Sequence, residues 1–420
     1  MTTWINADQV GEYLKPGMTV FVAGATQEPA LILDTLRRNP ECCAGVRFVS
    51  ASIPGVNHID FSTFHDDCKS TAFFATPENR GAIASGGVDF IPMQYRAIFD
   101  YLSAGQHFDV VLAQLPVPKN DEKFSLGICA DFLPAVLDRA ALLIGEINPL
   151  QPTPEDTPDW PLSRLDLAIE CNRPVAEIPV ANIDQAAADI ARNVAKIIRD
   201  GDCLQVGIGG IPNAILAELR DKNGLGVHSG LVSDGIMALA KAGNITGENK
   251  AIDVGRVVTG TTLGSRDLMD WVGTEPGMRF RPVGYTHDGS VIRQLDQFVS
   301  INSALQVDLF GQINADMLDG QQISGTGGSV DMMRGAALSR GGRSVIALKA
   351  TAAGGKVSRI VSRLASNTPA TILRTDVDYI VTEYGACRIK HLSAGERVDA
   401  LINIAAPQFR DQLRRDWLAG

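Results

Sequence analysis

Short apolar runs alternate with segments of helical periodicity along this chain. Residues 20–23, 109–114 and 140–146 are apolar runs of strand length, and residues 344–348 form a similar run in the second half. Residues 183–198 carry apolar positions at the spacing of a long helix. Strands that alternate with helices form parallel sheets with helices packed against them. The pattern therefore predicts α/β architecture.

A weak internal repeat divides the chain into two halves. In residues 17–29 and again in residues 201–212, a glycine precedes a strand, small residues form a turn, and a proline lies near a helix start. A chain of 420 residues also exceeds one ordinary core. Prolines crowd residues 149–161, just before a boundary that we expect near residues 174–184. We predict an N-terminal domain over residues 1–180 and a C-terminal domain over residues 181–420.

Composition excludes several classes of partner. The net charge is −10 and no block of Lys or Arg is visible, so we expect no nucleic-acid partner. No window reaches the roughly 20 apolar residues of a membrane span. The first ten residues include Asp8 and no long apolar run, so we expect no signal peptide and a cytoplasmic protein. The seven cysteines are scattered without metal-binding spacing, which favours reduced thiols and no metal site.

Two glycine-rich segments indicate close approach of the backbone to a ligand. Residues 206–212 read VGIGGIP and form a predicted strand-to-helix turn, whose amides could stabilise an oxyanion or a phosphate. Residues 322–331 contain three glycines within four positions, and a flexible surface loop is the alternative interpretation. Between them, residues 299–312 alternate polar and apolar side chains, as in a strand that faces either a polar cavity or solvent.

These segments, in this order, resemble the acetyl-CoA hydrolase/transferase family, in its 4-hydroxybutyrate CoA-transferase branch. The matching blocks are GIGGIPNA at 207–214, HSGLVSDG at 228–235, SINS at 300–303, GTGG at 325–328, GKVSRI at 355–360, DYIVTEYG at 378–385 and LINIA at 401–405. The resemblance implies two related open α/β domains of CoA-transferase type, with the site in the cleft between them. It also implies a homo-oligomer that takes an acyl-CoA thioester as substrate, with a carboxylate as the possible acceptor and no permanently bound cofactor.

The resemblance assigns roles to individual residues. It implies that Gly209 and Gly210 lie beside the thioester and that Gly327 and Gly328 line the coenzyme A site. Gly207 is a further candidate for coenzyme A binding. Lys356 is another candidate, as a contact to the coenzyme A phosphates, or it lies on a solvated face.

The chain departs from the family at one position. The family segment typically reads His-Thr-Glu, two residues, then Ser-Asp-Gly, whereas this chain has His228, Ser229 and Gly230 before the matching Ser233–Gly235. In the family the glutamate attacks the acyl-CoA carbonyl and forms a covalent thioester. Glycine has no side chain and cannot do so.

Four mechanisms remain open. Water could replace the carboxylate in the space that the missing side chain leaves, with the Gly209–Gly210 amides holding the oxyanion and His228 as base; a structural role for His228 is the alternative. Transfer could proceed through another carboxylate: Glu28, Asp234 or Glu383. Asp234 could instead cap a helix over residues 235–242, and Glu383 could form a structural ion pair. The protein could also act on a carbon–carbon bond of a CoA-linked substrate, or bind acyl-CoA without catalysis.

Overall fold

The computed structural model describes residues 2–179 and 182–419, which form two compact units. The first unit contains the described residues up to Ile178 together with Val258–Thr286 and Gln322–Gly327. The second unit contains the other described residues. The boundary predicted between residues 180 and 181 lies outside the described residues.

The strands and helices are short and numerous. The strands are β1 Thr3–Trp4, β2 Thr19–Val22, β3 Arg47–Ser50, β4 Lys69–Ala72, β5 Val88–Phe90, β6 Phe108–Leu115, β7 Lys123–Ser125, β8 Ala140–Ile147, β9 Asp159–Pro161, β10 Leu167–Glu170, β11 Cys203–Val206, β12 Gly226–His228, β13 Leu231–Val232, β14 Val257–Thr259, β15 Thr261–Thr262, β16 Met278–Phe280, β17 Phe298–Ser303, β18 Gln306–Asp308, β19 Ile313–Asn314, β20 Met317–Leu318, β21 Gln321–Gln322, β22 Arg343–Ala347, β23 Thr351–Ala352, β24 Val357–Ser358, β25 Ile360–Val361, β26 Tyr379–Thr382 and β27 Gly385–Arg388. The α-helices are α1 Ala30–Arg38, α2 Arg80–Ser85, α3 Tyr95–Ala104, α4 Leu133–Val136, α5 Gln185–Ala195, α6 Gly210–Ala217, α7 Asp234–Lys241, α8 Arg266–Thr274, α9 Val283–Thr286, α10 Gly289–Ile292, α11 Ser329–Leu338, α12 Ala394–Asn403 and α13 Arg410–Leu418. Short 3₁₀ helices cover Ala7–Tyr13, Ala25–Gln27, Pro40–Cys43, Phe61–Thr63, Leu162–Arg164, Ala353–Gly355 and Pro407–Phe409.

The first unit is built on a parallel sheet. Its strand order is β1-β10-β8-β6-β2-β3-β4-β5, and neighbouring strands pair in parallel. The three apolar runs predicted as strands in this half are β2, β6 and β8, which are neighbours in the middle of the sheet. Phe48, Phe61 and Phe64 pack together in the apolar core beside these strands. The α/β prediction is therefore confirmed for this half.

The second unit repeats this plan. Its strands β12, β11, β17, β22 and β26 lie side by side in that order and pair in parallel, and β27 pairs antiparallel to β26. The run predicted at residues 344–348 is β22. The predicted long helix is α5, whose N-cap residue Asp184 accepts a hydrogen bond from the amide of Ala187 at 3.0 Å.

The two copies of the sequence repeat have the same local structure. Gly17 and Gly201 both have a positive φ, of 88° and 79°, which favours glycine at the turn that leads into each strand. β2 and β11 follow these turns, and a glycine-containing turn then leads to a helix. The predicted relationship between the two halves thus has a physical basis in a shared strand–turn–helix unit.

One predicted helix boundary is wrong. The helix after Gly230 begins at Asp234, with Ser233 as its N-cap residue, so Asp234 lies in the first turn and is not the cap. A carboxylate in a first turn faces the positive end of the helix dipole, which is a stabilising place for it. Within residues 2–179 and 182–419, no helix combines the length and the apolar character needed to cross a membrane.

Candidate functional site

A glycine turn joins β11 to α6 in the second unit. The amide of Gly207 donates to the carbonyl of Ile301 at 3.2 Å, which ties the start of the turn to β17. Gly209 has φ 117° and ψ −177°, a conformation that is essentially restricted to glycine, and α6 begins at the next residue, Gly210. The first amides of a helix have no partner within the helix. The turn therefore presents Gly209, which is exposed, beside a set of backbone donors.

A polar network lies beneath this turn, at the carboxyl ends of β11 and β17. Gln205 and Ser300 are opposite each other in the strand register. The Oε1 atom of Gln205 accepts from Ser300 Oγ at 2.7 Å and from Asn302 Nδ2 at 3.1 Å. Asn302 Oδ1 would lie 3.8 Å from a Cβ atom on Gly207. Ser300 and Asn302 of the alternating segment therefore face polar partners within the unit, whereas Ser303, at the end of β17, is exposed.

The segment that carries His228 and Gly230 lies beside the same turn. The hydroxyl of Ser229 donates to the carbonyl of Val206 at 3.5 Å, just before the glycines of the turn. His228 is fully buried, with its ring 6.2 Å from that of Phe298 in an edge-to-face arrangement. This burial and the ring contact favour the structural interpretation of His228.

The space beside Gly230 is occupied by a residue that the sequence did not single out. A Cβ atom on Gly230 would lie 2.6 Å from Cε1 and 2.9 Å from Nε2 of His287. A Cβ atom on Gly328 would lie 2.5 Å from Cδ2 of the same ring and nearer still to Nε2. The prediction that the missing side chain leaves room for a water at this point is therefore wrong: the His287 imidazole fills it. No local motif marks His287 in the sequence.

Glu28 lies in the first unit, in the turn after β2. Ala25 in this turn has an unusual positive φ of 51°, and Asn57 holds it by accepting from its amide at 2.9 Å and donating to its carbonyl at 3.2 Å. Burial raises the pKa of Glu28 to about 7, although the Asn57 side chain favours the ionised form. The negative charge of Glu146 raises the pKa further. Glu28 is therefore a carboxyl group able to exchange a proton near neutral pH.

The other predicted site residues are dispersed. Gly327 belongs to the first unit, where its carbonyl accepts from the amide of Tyr95 at 3.1 Å, while Gly328 belongs to the second. Lys356 is exposed in the connection between the paired strands β23 and β24. Glu383 accepts from the amide of Ala350 at 2.8 Å, a backbone contact that gives it a structural use.

A second buried carboxyl group was not predicted. Asp131 is 4% exposed and lines a pocket of the first unit with an empty volume of about 250 Å³. Among the described residues, its Oδ1 atom has no hydrogen-bond partner, and burial raises its pKa to about 7. Nothing in the sequence around Asp131 distinguishes it from a surface carboxylate. Across the described ranges, no cluster of three or more His, Cys, Asp or Glu side chains is arranged to hold a metal.

Comparison with known proteins identifies the family. Residues 2–180 match the acetyl-CoA hydrolase/transferase N-terminal domain, and residues 264–417 match the acetyl-CoA hydrolase/transferase C-terminal domain. The chain is 34% identical to a 4-hydroxybutyrate coenzyme A transferase of Clostridium kluyveri, over 98% of this chain and 96% of that protein. It is 40% identical to a butyryl-CoA:acetate CoA-transferase of Anaerostipes caccae, over 78% of this chain and 74% of that protein.

A solved structure shares the fold over nearly the whole length. The crystal structure of RipA from Yersinia pestis superposes with a TM-score of 0.92 at 30% identity, covering 98% of this chain and 96% of that one. The crystal structure of a 4-hydroxybutyrate CoA-transferase from Porphyromonas gingivalis also matches, with a TM-score of 0.82 at 30% identity, covering 99% of this chain and 97% of that one, which confirms the predicted CoA-transferase type of α/β fold.

Proposed function

This chain belongs to the acetyl-CoA hydrolase/transferase family, and from that membership we propose that it hydrolyses acyl-CoA thioesters. Acyl-CoA is the shared substrate class of the family. The observation that carries hydrolysis is the absence of a side chain at Gly230, where the resemblance implies the attacking glutamate. Without that carboxylate there is no group at this position to hold the acyl or CoA moiety covalently, so water is the simplest nucleophile.

The glycine turn supplies the electrostatic part of this proposal. Attack on a thioester carbonyl places negative charge on its oxygen, and backbone amides at a helix start stabilise such a charge. The amides near Gly209 and Gly210 are candidates, because α6 begins there and Gly209 is exposed. Pro212 has no amide hydrogen, and the amide of Asn213 donates to the carbonyl of Gly209 at 3.1 Å, so the candidate donors are the residues before Pro212. Loss of one such donor typically lowers kcat by about 10²–10³-fold.

Transfer to a carboxylic acid is the second candidate function. Two relatives described above are named as CoA-transferases. Glu28 has a pKa raised to about 7 by burial, which is the property of a carboxyl group that can act as a base or nucleophile near neutral pH. In this case Glu28 would take the role that Gly230 cannot perform.

A single assay separates these functions. Butyryl-CoA and succinyl-CoA are incubated with the protein, each with and without acetate, and acetyl-CoA is incubated without an acceptor; free thiol and acyl-CoA products are quantified. Hydrolysis predicts that free CoA accumulates without any acceptor. Conversion that requires acetate and leaves the total thioester constant would replace hydrolysis by transfer. Binding of CoA without turnover of any thioester would contradict both functions.

A further inference from the structure

The ring of His287 packs against two glycines of the second unit, Gly230 and Gly328. It lies so close to both that a Cβ atom at either position would approach it within 3.0 Å, a separation that real Cβ atoms essentially never show. The residue is only 5% exposed. The imidazole thus occupies the volume that a side chain at position 230 or at position 328 would need.

The backbone does not explain why these two positions are glycine. Gly328 has φ −92° and ψ 1°, a conformation that non-glycine residues also adopt in type I turns, and Gly230 does not have a positive φ. Gly209 is different, because its φ of 117° requires glycine. The structural reason for glycine at 230 and 328 is therefore the ring of His287.

We propose that His287 is the general base of thioester hydrolysis, an inference that rests on the proposed function. The imidazole lies against the Cα atom of Gly230, and Ser229, the preceding residue, contacts the strand that leads into the glycine turn. The His287 ring therefore lies beside the position at which the resemblance implies a carboxylate. Histidine is the side chain that ordinarily exchanges protons near neutral pH.

Hydrolysis by this base takes two steps. A ring nitrogen of His287 takes a proton from water while the water oxygen bonds to the thioester carbonyl carbon, giving a tetrahedral oxyanion. The carbon–sulfur bond then breaks, and the thiolate of coenzyme A takes the proton back from the imidazolium. The products are a carboxylic acid, which ionises in solution, and free CoA, and the imidazole is regenerated. No further reactant is needed.

The test removes the imidazole ring of His287 by substitution and then supplies free imidazole in solution. His287→Ala should lower kcat for acceptor-free hydrolysis of acetyl-CoA by at least about 10²-fold, with KM changed less than about threefold. Exogenous imidazole should restore part of the activity, and pyrazole, which has the same shape but is a much weaker base, should not. The histidine control is His107→Ala on the exposed surface of the first unit, which should retain wild-type activity.

A second variant keeps the test independent of folding. His287→Gln preserves most of the side-chain volume and should be folded, as judged by circular dichroism and elution volume, yet show the same loss of kcat. If the wild-type protein hydrolyses acetyl-CoA and either His287 variant keeps more than about half of its kcat, the role of His287 is refuted while the proposed function stands. Equal rescue by pyrazole would also refute it, since that would show a space-filling role. If the wild-type protein releases no CoA without an acceptor, the proposed function itself fails, and the role of His287 fails with it.

Discussion

Adding one methyl group at Gly230 tests the packing of His287 directly. A Cβ atom there would lie 2.6 Å from Cε1 of the ring, about 0.8 Å short of the 3.4 Å at which ordinary van der Waals contact begins. The ring cannot move toward Gly328 without a second close contact, because it already lies against that glycine as well. Overpacking of this kind typically costs about 1–3 kcal/mol of unfolding free energy. We expect Gly230→Ala to destabilise the protein by that amount.

The same methyl group should be harmless once the ring is gone. In a His287→Ala background, the clash is removed and the added Cβ fills part of the resulting cavity. The double variant should therefore be at least as stable as His287→Ala alone, which corresponds to a coupling energy of about 1–3 kcal/mol between the two positions. Contacting residues couple in this range, whereas distant residues add within about 0.3–0.5 kcal/mol.

Urea unfolding of the four proteins measures this coupling. The midpoints are compared only if the slopes of free energy against urea agree, since a changed slope indicates a different unfolding transition. Gly395→Ala is the matched control, because a Cβ atom on this helical glycine of the second unit would meet nothing within 4 Å. It should be neutral or slightly stabilising. A coupling energy indistinguishable from zero would show that the imidazole does not lie against Gly230, and the reasoning about both glycines would fail.

Three further predictions follow from the site and the core. Gly230→Glu alone should not produce acetate-dependent CoA exchange, because its side chain meets the His287 ring, whereas Gly230→Glu with His287→Ala should; exchange in the single variant would contradict the steric argument. Burial raises the pKa of Asp131 from 3.8 to about 7, so the folded chain keeps a proton that the unfolded chain loses, and stability should fall by roughly 4 kcal/mol as pH rises from about 4 to above 7. Asp131→Asn should remove that dependence, and parallel pH profiles of unfolding free energy for the two proteins would refute it. Arg343→Met should lower the free energy of unfolding in urea by about 3–5 kcal/mol. Arg343 forms an ion pair with the fully buried Asp202, and the substitution leaves the Asp202 carboxylate without that cation. A loss under 1 kcal/mol would count against a stabilising role of the pair.

Local patterns in the sequence were sufficient for the framework of the molecule. The apolar runs that form β2, β6, β8 and β22 are short and bounded by turn residues. Such strands can be predicted because the pattern depends only on residues that are neighbours along the chain. The turn with Gly209 was also predictable, because glycines between a strand and a helix mark such turns. Membership of the family followed from ordered blocks of residues. The predicted start of α7 was one residue too late, because Ser233 and Asp234 are both good N-cap residues.

The chemistry of the site depended on the tertiary structure. His287 lies far along the chain from Gly230, and only the packing of the second unit brings its ring against that glycine. A glycine in a sequence does not reveal whether it serves a backbone conformation, as at Gly209, or makes space for another side chain. Proton affinities were equally hidden, because the raised pKa values of Glu28 and Asp131 come from burial, which depends on what surrounds them in three dimensions. The sequence by itself therefore determined the scaffold and the glycine at position 230, whereas the folded chain decided which side chain lies against that glycine.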